Sequence, residues 1–148
     1  MNRILTFIFL FCVCAYASAE DIHKKQHEAH FQRVKTIGVK KLTALAEKGD
    51  ANAQFDLGWV YNYGGAGVKK DLKQSFLLLK KSAEQDHVEA QSILASCYYF
   101  GWGIKKNNEE AFKWYSKAAS SNKSPYSEGM LGTICFYGHG TKKILLKH

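Results

Sequence analysis

Apolar and small residues recur along this chain at helical spacing, and the same pattern returns after 37 residues. In the first copy, Ala53, Leu57 and Tyr61 follow at intervals of four residues, which places them on one side of an α-helix. Leu57, Leu94 and Leu131 occupy the same position of successive copies. A fixed period of this length is typical of helical repeat proteins, in which each unit packs on the next. The pattern therefore predicts stacked pairs of helices.

Each of the first two copies continues through a glycine-containing loop into a second helix. Asp71 and Asn107 stand at equivalent positions after these loops, and Gln74 and Glu110 follow three residues later. This spacing is the capping-box signal for the start of a helix. Small residues also recur within the first helices, at Gly58 among other positions, and they predict a close approach of the neighbouring helix.

The combined motif resembles the Sel-one-like repeat, a branch of the tetratricopeptide-type helical repeats. Its two complete copies read Leu57-Gly-x-x-Tyr61 and Leu94-Ala-x-x-Tyr98 before their glycine loops, and the helix after the second loop is rich in aromatic residues and alanine. The resemblance implies an all-α fold, an α-solenoid of about seven helices arranged as antiparallel pairs in a tetratricopeptide-like superhelix. It also implies a protein that binds other proteins.

The start of the chain has the layout of a secretory signal peptide over residues 1–19. Arg3 precedes an apolar run at 4–15, and Ala17 and Ala19 form a small-x-small cleavage site. The run is shorter than the ~18 residues that a membrane-spanning helix needs. We therefore expect export with cleavage after Ala19, no stable membrane insertion, and a periplasmic or secreted protein.

The remaining chain is predicted to consist of a cap, a repeat domain and a tail. These parts cover residues 20–36 for the N-terminal helix or cap, 37–143 for the Sel-one-like repeat domain and 144–148 for the tail. Within the domain, the predicted repeats are 52–88, 89–124 and a truncated one at 125–143.

The third repeat is predicted to lack its second helix, because only Ile144–His148 follow its glycine loop. Solenoids need a covering element at each end to stay soluble. Three explanations remain open for the uncovered helix: a truncated gene product, a homodimer through the open C-terminal end, or a partner that completes the stack.

The first helices carry several side chains outside the apolar stripe, and another aromatic residue lies in the second glycine loop. The resemblance implies that these helices line the concave face of the superhelix. Aromatic side chains are the usual anchors of protein interfaces, so we expect a protein or peptide ligand on this face. The candidate partner-binding residues are Phe55, Trp59, Asn62, Tyr63, Ser96, Tyr99, Phe100 and Trp102.

The chain carries a formal net charge of +8, which favours acidic partners or an anionic surface. Lysine pairs at 69–70, 105–106 and 142–143 recur in the loops, so the repeat register places them along one edge. That edge is either a binding surface for an acidic partner or a membrane, or simply a solvated set of loops. No nucleic-acid recognition motif accompanies the charge, so we do not expect nucleic acid as a partner.

Three histidines and two cysteines are candidates for a metal site and a disulfide, although each group also has an ordinary structural explanation. His23, His27 and His30 share one helical face and are candidate ligands for zinc or copper, or else solvated residues of the cap. Cys97 and Cys135 lie on the first helices of adjacent repeats and are candidates for a disulfide, or else two apolar thiols.

The sequence contains no recognisable catalytic motif, so we expect a binding protein without a cofactor rather than an enzyme. The alternative is a β-lactamase-type or penicillin-binding activity, which is linked to cysteine-rich members of the resembled family. Those members carry a cysteine pair within each repeat, and this chain carries none.

Overall fold

The computed structural model describes residues 28–121 and 124–136, which form seven α-helices and no β-sheet. The helices are α1 (described part 28–37), α2 (Val39–Glu47), α3 (Ala51–Tyr63), α4 (Leu72–Glu84), α5 (Val88–Phe100), α6 (Asn108–Ala119) and α7 (Pro125–Phe136). The all-α fold with seven helices that the sequence predicts is confirmed.

From α2 onward, each helix packs against the helix that follows it in the chain. Short loops join them, so α3 pairs with α4 and α5 pairs with α6 as the helices of two successive repeats. One apolar core extends from α1 to α5 and includes the fully buried Leu42, Leu79 and Leu94. A second cluster joins α5, α6 and α7 around Tyr115 and Ile134.

The close approach that small residues predict occurs between α3 and α4. A Cβ atom added to Gly58 would lie 3.0 Å from Cγ of Leu79 and 3.3 Å from Cβ of Leu78. The equivalent Gly132 of α7 has nothing within 4 Å among the residues that the structure describes.

The side chains of Asp71 and Asn107 cap the second helices as the sequence predicts. The reverse hydrogen bond of the capping box is replaced by a bond to the preceding helix. Asp71 Oδ1 accepts hydrogen bonds from the backbone N–H groups of the first turn of α4, including that of Gln74 at 3.1 Å. Asn107 caps α6 in the same way. The backbone N–H groups of Asp71 and Asn107 donate instead to the carbonyl oxygens of Tyr61 and Tyr98, both at 2.8 Å. Each glycine loop is thereby fastened to the end of the preceding helix.

Candidate functional site

The predicted partner-binding residues lie on α3, on α5 and in the loop after α5. Tyr63 and Phe100 are 37 residues apart and occupy equivalent positions at the C-terminal ends of these two helices. The structure divides the set by exposure. The buried members are Phe55, Trp59, Asn62 and Ser96, and the exposed or half-exposed members are Tyr63, Tyr99, Phe100 and Trp102.

The expectation that Phe55 and Trp59 have no role in the core is wrong, because α1 lies over them. The imidazole of His30 lies 5.2 Å from the Phe55 ring and 5.7 Å from the Trp59 ring, measured between centroids. His87, just before α5, stacks on Phe55 with the centroids 4.5 Å apart. The two side chains are therefore only 3% and 4% exposed, and they pack inside the fold.

Asn62 and Ser96 are also more enclosed than the sequence indicates. The Ser96 hydroxyl shares hydrogen bonds with the hydroxyls of Tyr115 at 2.8 Å and Tyr126 at 3.3 Å, so it serves as an internal contact between α5, α6 and α7. Asn62 is 6% exposed. Burial raises the pKa of the adjacent Tyr63, and a side-chain hydrogen bond with Asn62 partly offsets this increase.

The exposed members include three aromatic rings in mutual contact, which we call the aromatic cluster: Tyr99, Phe100 and Trp102. Tyr99 meets Phe100 edge-on with the ring centroids 4.9 Å apart. Phe100 stacks on Trp102, also at 4.9 Å and with an angle of 21° between the planes. Phe100 is 49% exposed and Trp102 is 36% exposed, so a partner can reach both rings.

Two backbone hydrogen bonds join the loop of the aromatic cluster to the end of α5. Gly101 ends α5 with φ 79° and ψ 34°, the left-handed conformation that glycine adopts most readily. The backbone N–H groups of Gly101 and Trp102 both donate to the carbonyl oxygen of Cys97, at 2.8 and 2.9 Å. These bonds tie Trp102 to the last turn of the helix that carries Tyr99 and Phe100.

Three exposed apolar residues were not among the predicted set: Leu77, Ile104 and Tyr126. Tyr126 of α7 is 48% exposed and lies at a position where the earlier repeats have Asn52 and Glu89, so the repeat pattern gave no signal for it. Ile104 stands at the position that Val68 occupies in the first repeat. Val68 is partly buried against the core, whereas Ile104 is 37% exposed.

A buried carboxylate joins α1 to α3. Asp56 is 1% exposed, and its Oδ2 lies 3.1 Å from Nε of Arg33, whose own side chain is 50% exposed. Its Oδ1 lies 3.6 Å from Nδ1 of His30. The equivalent residues of the later repeats are the apolar Ile93 and Met130. A carboxylate at a position that is otherwise apolar is the sequence signal for this contact, and it was not among the predicted features.

His87 caps the N-terminus of α5 with its imidazole. Its Nδ1 accepts a hydrogen bond from the backbone N–H of Ala90 at 3.3 Å, which requires an unprotonated nitrogen. Burial lowers the pKa of His87, and the nearby Arg33 guanidinium lowers it further, while Glu89 and Asp56 act in the opposite direction. The neutral imidazole is therefore the form that suits this cap.

The histidines that share a predicted helical face are only partly described. His23 and His27 lie outside the described residues, and His30 lies against Asp56 and the rings of α3. Within residues 28–121 and 124–136, no group of three or more potential ligands is arranged to hold a metal ion.

The candidate disulfide between Cys97 and Cys135 is not present, and both residues are free thiols. Cys97 is 1% exposed in the core, whereas Cys135 is exposed on α7. The core position equivalent to Cys97 is Ile134, so Cys135 is one residue further along the helix and points away from the core. Burial raises the pKa of the Cys97 thiol to about 12, which makes it a weak nucleophile.

None of the described helices combines the length and the apolar character needed to cross a membrane.

Comparison with known proteins identifies the repeat. The Sel1 repeat pattern matches residues 51–87, 88–123 and 125–143. Among solved structures, the chain is similar to c5321, a protective antigen of uropathogenic Escherichia coli with an SLR fold. The identity is 33% and the TM-score 0.65, over 70% of this chain and 22% of c5321. This likeness confirms the α-solenoid.

Two curated relatives are named as a regulatory factor and as a ligase component. Chitin synthase regulatory factor 2 of Schizosaccharomyces pombe is 27% identical over 69% of this chain and 21% of its own length. The ERAD-associated E3 ubiquitin-protein ligase component HRD3B of Arabidopsis thaliana is 28% identical over 66% of this chain and 15% of its own length. The chain thus spans about a fifth or less of the length of these two relatives.

Proposed function

Because the chain belongs to the Sel1 repeat family, we propose that it is a protein-binding scaffold and that the exposed aromatic residues of α3 and α5 bind a protein or peptide partner. The observation that carries this proposal is the aromatic cluster, in which Phe100 contacts both Tyr99 and Trp102. Phe100 is 49% exposed and Trp102 is 36% exposed. Solvent-exposed aromatic side chains are typical anchors of a protein interface. The relatives named as a regulatory factor and a ligase component support a binding role over catalysis.

The proposed surface is smaller than the predicted one, because it contains only those predicted residues that are exposed or half-exposed. Tyr63 of α3 is 41% exposed, and it lies at the position equivalent to Phe100 on the adjacent first helix. The proposed site therefore consists of Tyr63 and the aromatic cluster. Phe55 and Trp59 are not part of it, because α1 covers them. A substitution of Trp59 is accordingly expected to affect stability rather than to remove a direct contact with a partner.

Selection from a random peptide library displayed on phage tests the proposal. The full chain should enrich peptides, and Trp102→Ala should weaken their binding by about 30-fold, the effect of losing an interface anchor worth ~2 kcal/mol. Leu77→Ala is the matched control, because Leu77 is 52% exposed on α4 and lies outside the proposed surface. An unenriched library, or equal binding by both variants, would contradict the proposal.

We also propose that the protein is exported and is released by cleavage after Ala19. The layout of residues 1–19 supports this, with a positive residue, an apolar run and small residues at the cleavage site. When the full chain is expressed in a bacterium, intact mass measurement of the periplasmic fraction should give a protein that starts at Glu20. A chain that stays in the cytoplasm and retains Arg3 would refute export.

A further inference from the structure

The two described lysine pairs lie at equivalent places on adjacent loops. Lys70 and Lys106 each stand just before the capping residue of a second helix. A Cβ atom added to Gly64 would lie 3.5 Å from the backbone nitrogen of Lys70, and one added to Gly101 would lie 3.6 Å from that of Lys106. Although the two loops differ in backbone conformation, each returns its second lysine to the glycine that ends the first helix. The lysines therefore stand in a similar relation to each helix pair.

The second loop packs directly on the start of α4. A Cβ atom added to Gly103 would lie only 2.0 Å from the carbonyl oxygen of Leu72, so the two backbones are in contact. This contact brings the loop after α5 against the segment that carries the first lysine pair. We call the five exposed lysines of these two segments the lysine edge: Lys69, Lys70, Lys73, Lys105 and Lys106.

The charges of the lysine edge are not neutralised by ion pairs within the part of the chain that the structure describes. The lysines that form ion pairs there are Lys80, Lys113 and Lys117. Three carboxylates lie close by in sequence. Asp71 caps α4, Glu110 pairs with Lys113, and Glu109 lies in the first turn of α6. Five lysines thus outnumber the three carboxylates that lie close by in sequence.

The lysine edge adjoins the aromatic cluster. Nζ of Lys106 lies 5.2 Å from the centroid of the Tyr99 ring, so the two surfaces touch. Lys105 and Lys106 follow Trp102 within the same loop. A partner that covers the stacked rings of Phe100 and Trp102 therefore comes within reach of several lysine ammonium groups.

We propose that the partner segment is an acidic peptide with an apolar side chain. The apolar side chain packs on the stacked rings of Phe100 and Trp102, and the flanking carboxylates pair with the lysine edge. This inference rests on the proposed function and adds the chemistry of the partner. Complementary charge at the rim of such a contact mainly accelerates association and makes it sensitive to salt.

The observations favour a peptide over a membrane or a nucleic acid. Membrane-surface binding requires apolar side chains that reach beyond the basic ones into the lipid, whereas the most exposed ring of the cluster, Phe100, is only 49% exposed. Nucleobases stack on open aromatic faces. Here Lys106 covers one face of Tyr99, while Phe100 and Trp102 cover each other.

The composition of the peptides enriched by phage display is the first test. They should combine aspartate or glutamate with an aromatic or aliphatic residue. The double substitution Lys105→Glu and Lys106→Glu should weaken the binding of these peptides about tenfold, at roughly 0.7 kcal/mol per rim charge. Lys40→Glu with Lys41→Glu is the matched control, since it makes the same change of net charge on the exposed side of α2. That control should bind within twofold of the unmodified chain.

The outcomes separate this inference from the proposed function. Enriched peptides that are neutral or basic, yet lose binding with Trp102→Ala, would leave the scaffold proposal standing and refute the acidic partner. Equal weakening by the two lysine pairs would show an effect of net charge and would also refute it. Tighter binding to phosphatidylglycerol vesicles or to a single-stranded oligonucleotide than to the acidic peptides would assign the lysine edge to that other partner.

Discussion

Replacing Arg33 with leucine should lower the free energy of unfolding by about 2 kcal/mol. The substitution leaves the carboxylate of Asp56, which is 1% exposed, without its guanidinium partner at 3.1 Å. Breaking a buried ion pair typically costs roughly 3–5 kcal/mol, and we expect less because the Arg33 side chain is 50% exposed and solvent screens its charge. Urea denaturation followed by circular dichroism measures the change.

A double variant distinguishes an unpaired charge from a general loss of packing on α1. Combining Arg33→Leu with Asp56→Ile removes both charges and places at residue 56 the residue type found at the equivalent Ile93. Apolar replacements of a buried ion pair are often neutral or stabilising, so the double variant should recover most of the lost stability. If it is no more stable than Arg33→Leu alone, the ion pair does not explain the effect.

Replacing Gly103 with alanine should lower the free energy of unfolding by about 3 kcal/mol. The new Cβ would lie 2.0 Å from the carbonyl oxygen of Leu72, and this neighbour is backbone, so α4 and the second loop would have to separate. The residue also has φ +72°, a conformation that disfavours alanine. Thermal and urea unfolding of the full chain measure the loss.

The matched control for Gly103 is the same substitution at Gly67. Gly67 has φ +81° in the first loop but has nothing within 4 Å of an added Cβ, so Gly67→Ala tests the conformational effect alone. We expect about 1 kcal/mol there. Equal losses at both glycines would mean that the contact between the loop and Leu72 contributes nothing measurable to stability.

The same contact brings the two lysine-bearing loops together. Gly103→Ala should therefore also weaken the binding of acidic peptides more than Gly67→Ala does.

The candidate site could be predicted only in part, and the residues show why. Tyr63, Phe100 and Trp102 are exposed, and each lies at or just beyond the end of a first helix. Phe55 and Trp59 lie on the same face of α3, but α1 covers them. The segment that forms α1 lacks the repeat motif, so nothing in the repeat pattern indicated where it would pack.

The sequence by itself determined the helices, their order and their capped starts. These depend on neighbours within a few positions, such as the four-residue spacing of Ala53, Leu57 and Tyr61, or the capping of α4 by Asp71. The 37-residue period extended that local information to the stacking of repeats, because equivalent residues meet equivalent surroundings.

Only the tertiary structure decided which side chains remain available for binding. Packing of α1 buried Phe55 and Trp59 and paired Asp56 with Arg33, a residue 23 positions away in the sequence. Contact between Gly103 and Leu72 brought the two lysine-bearing loops together. Side-chain exposure and the clustering of charges depend on contacts between residues that are distant along the chain. A repeat pattern describes single positions, so it does not predict those contacts.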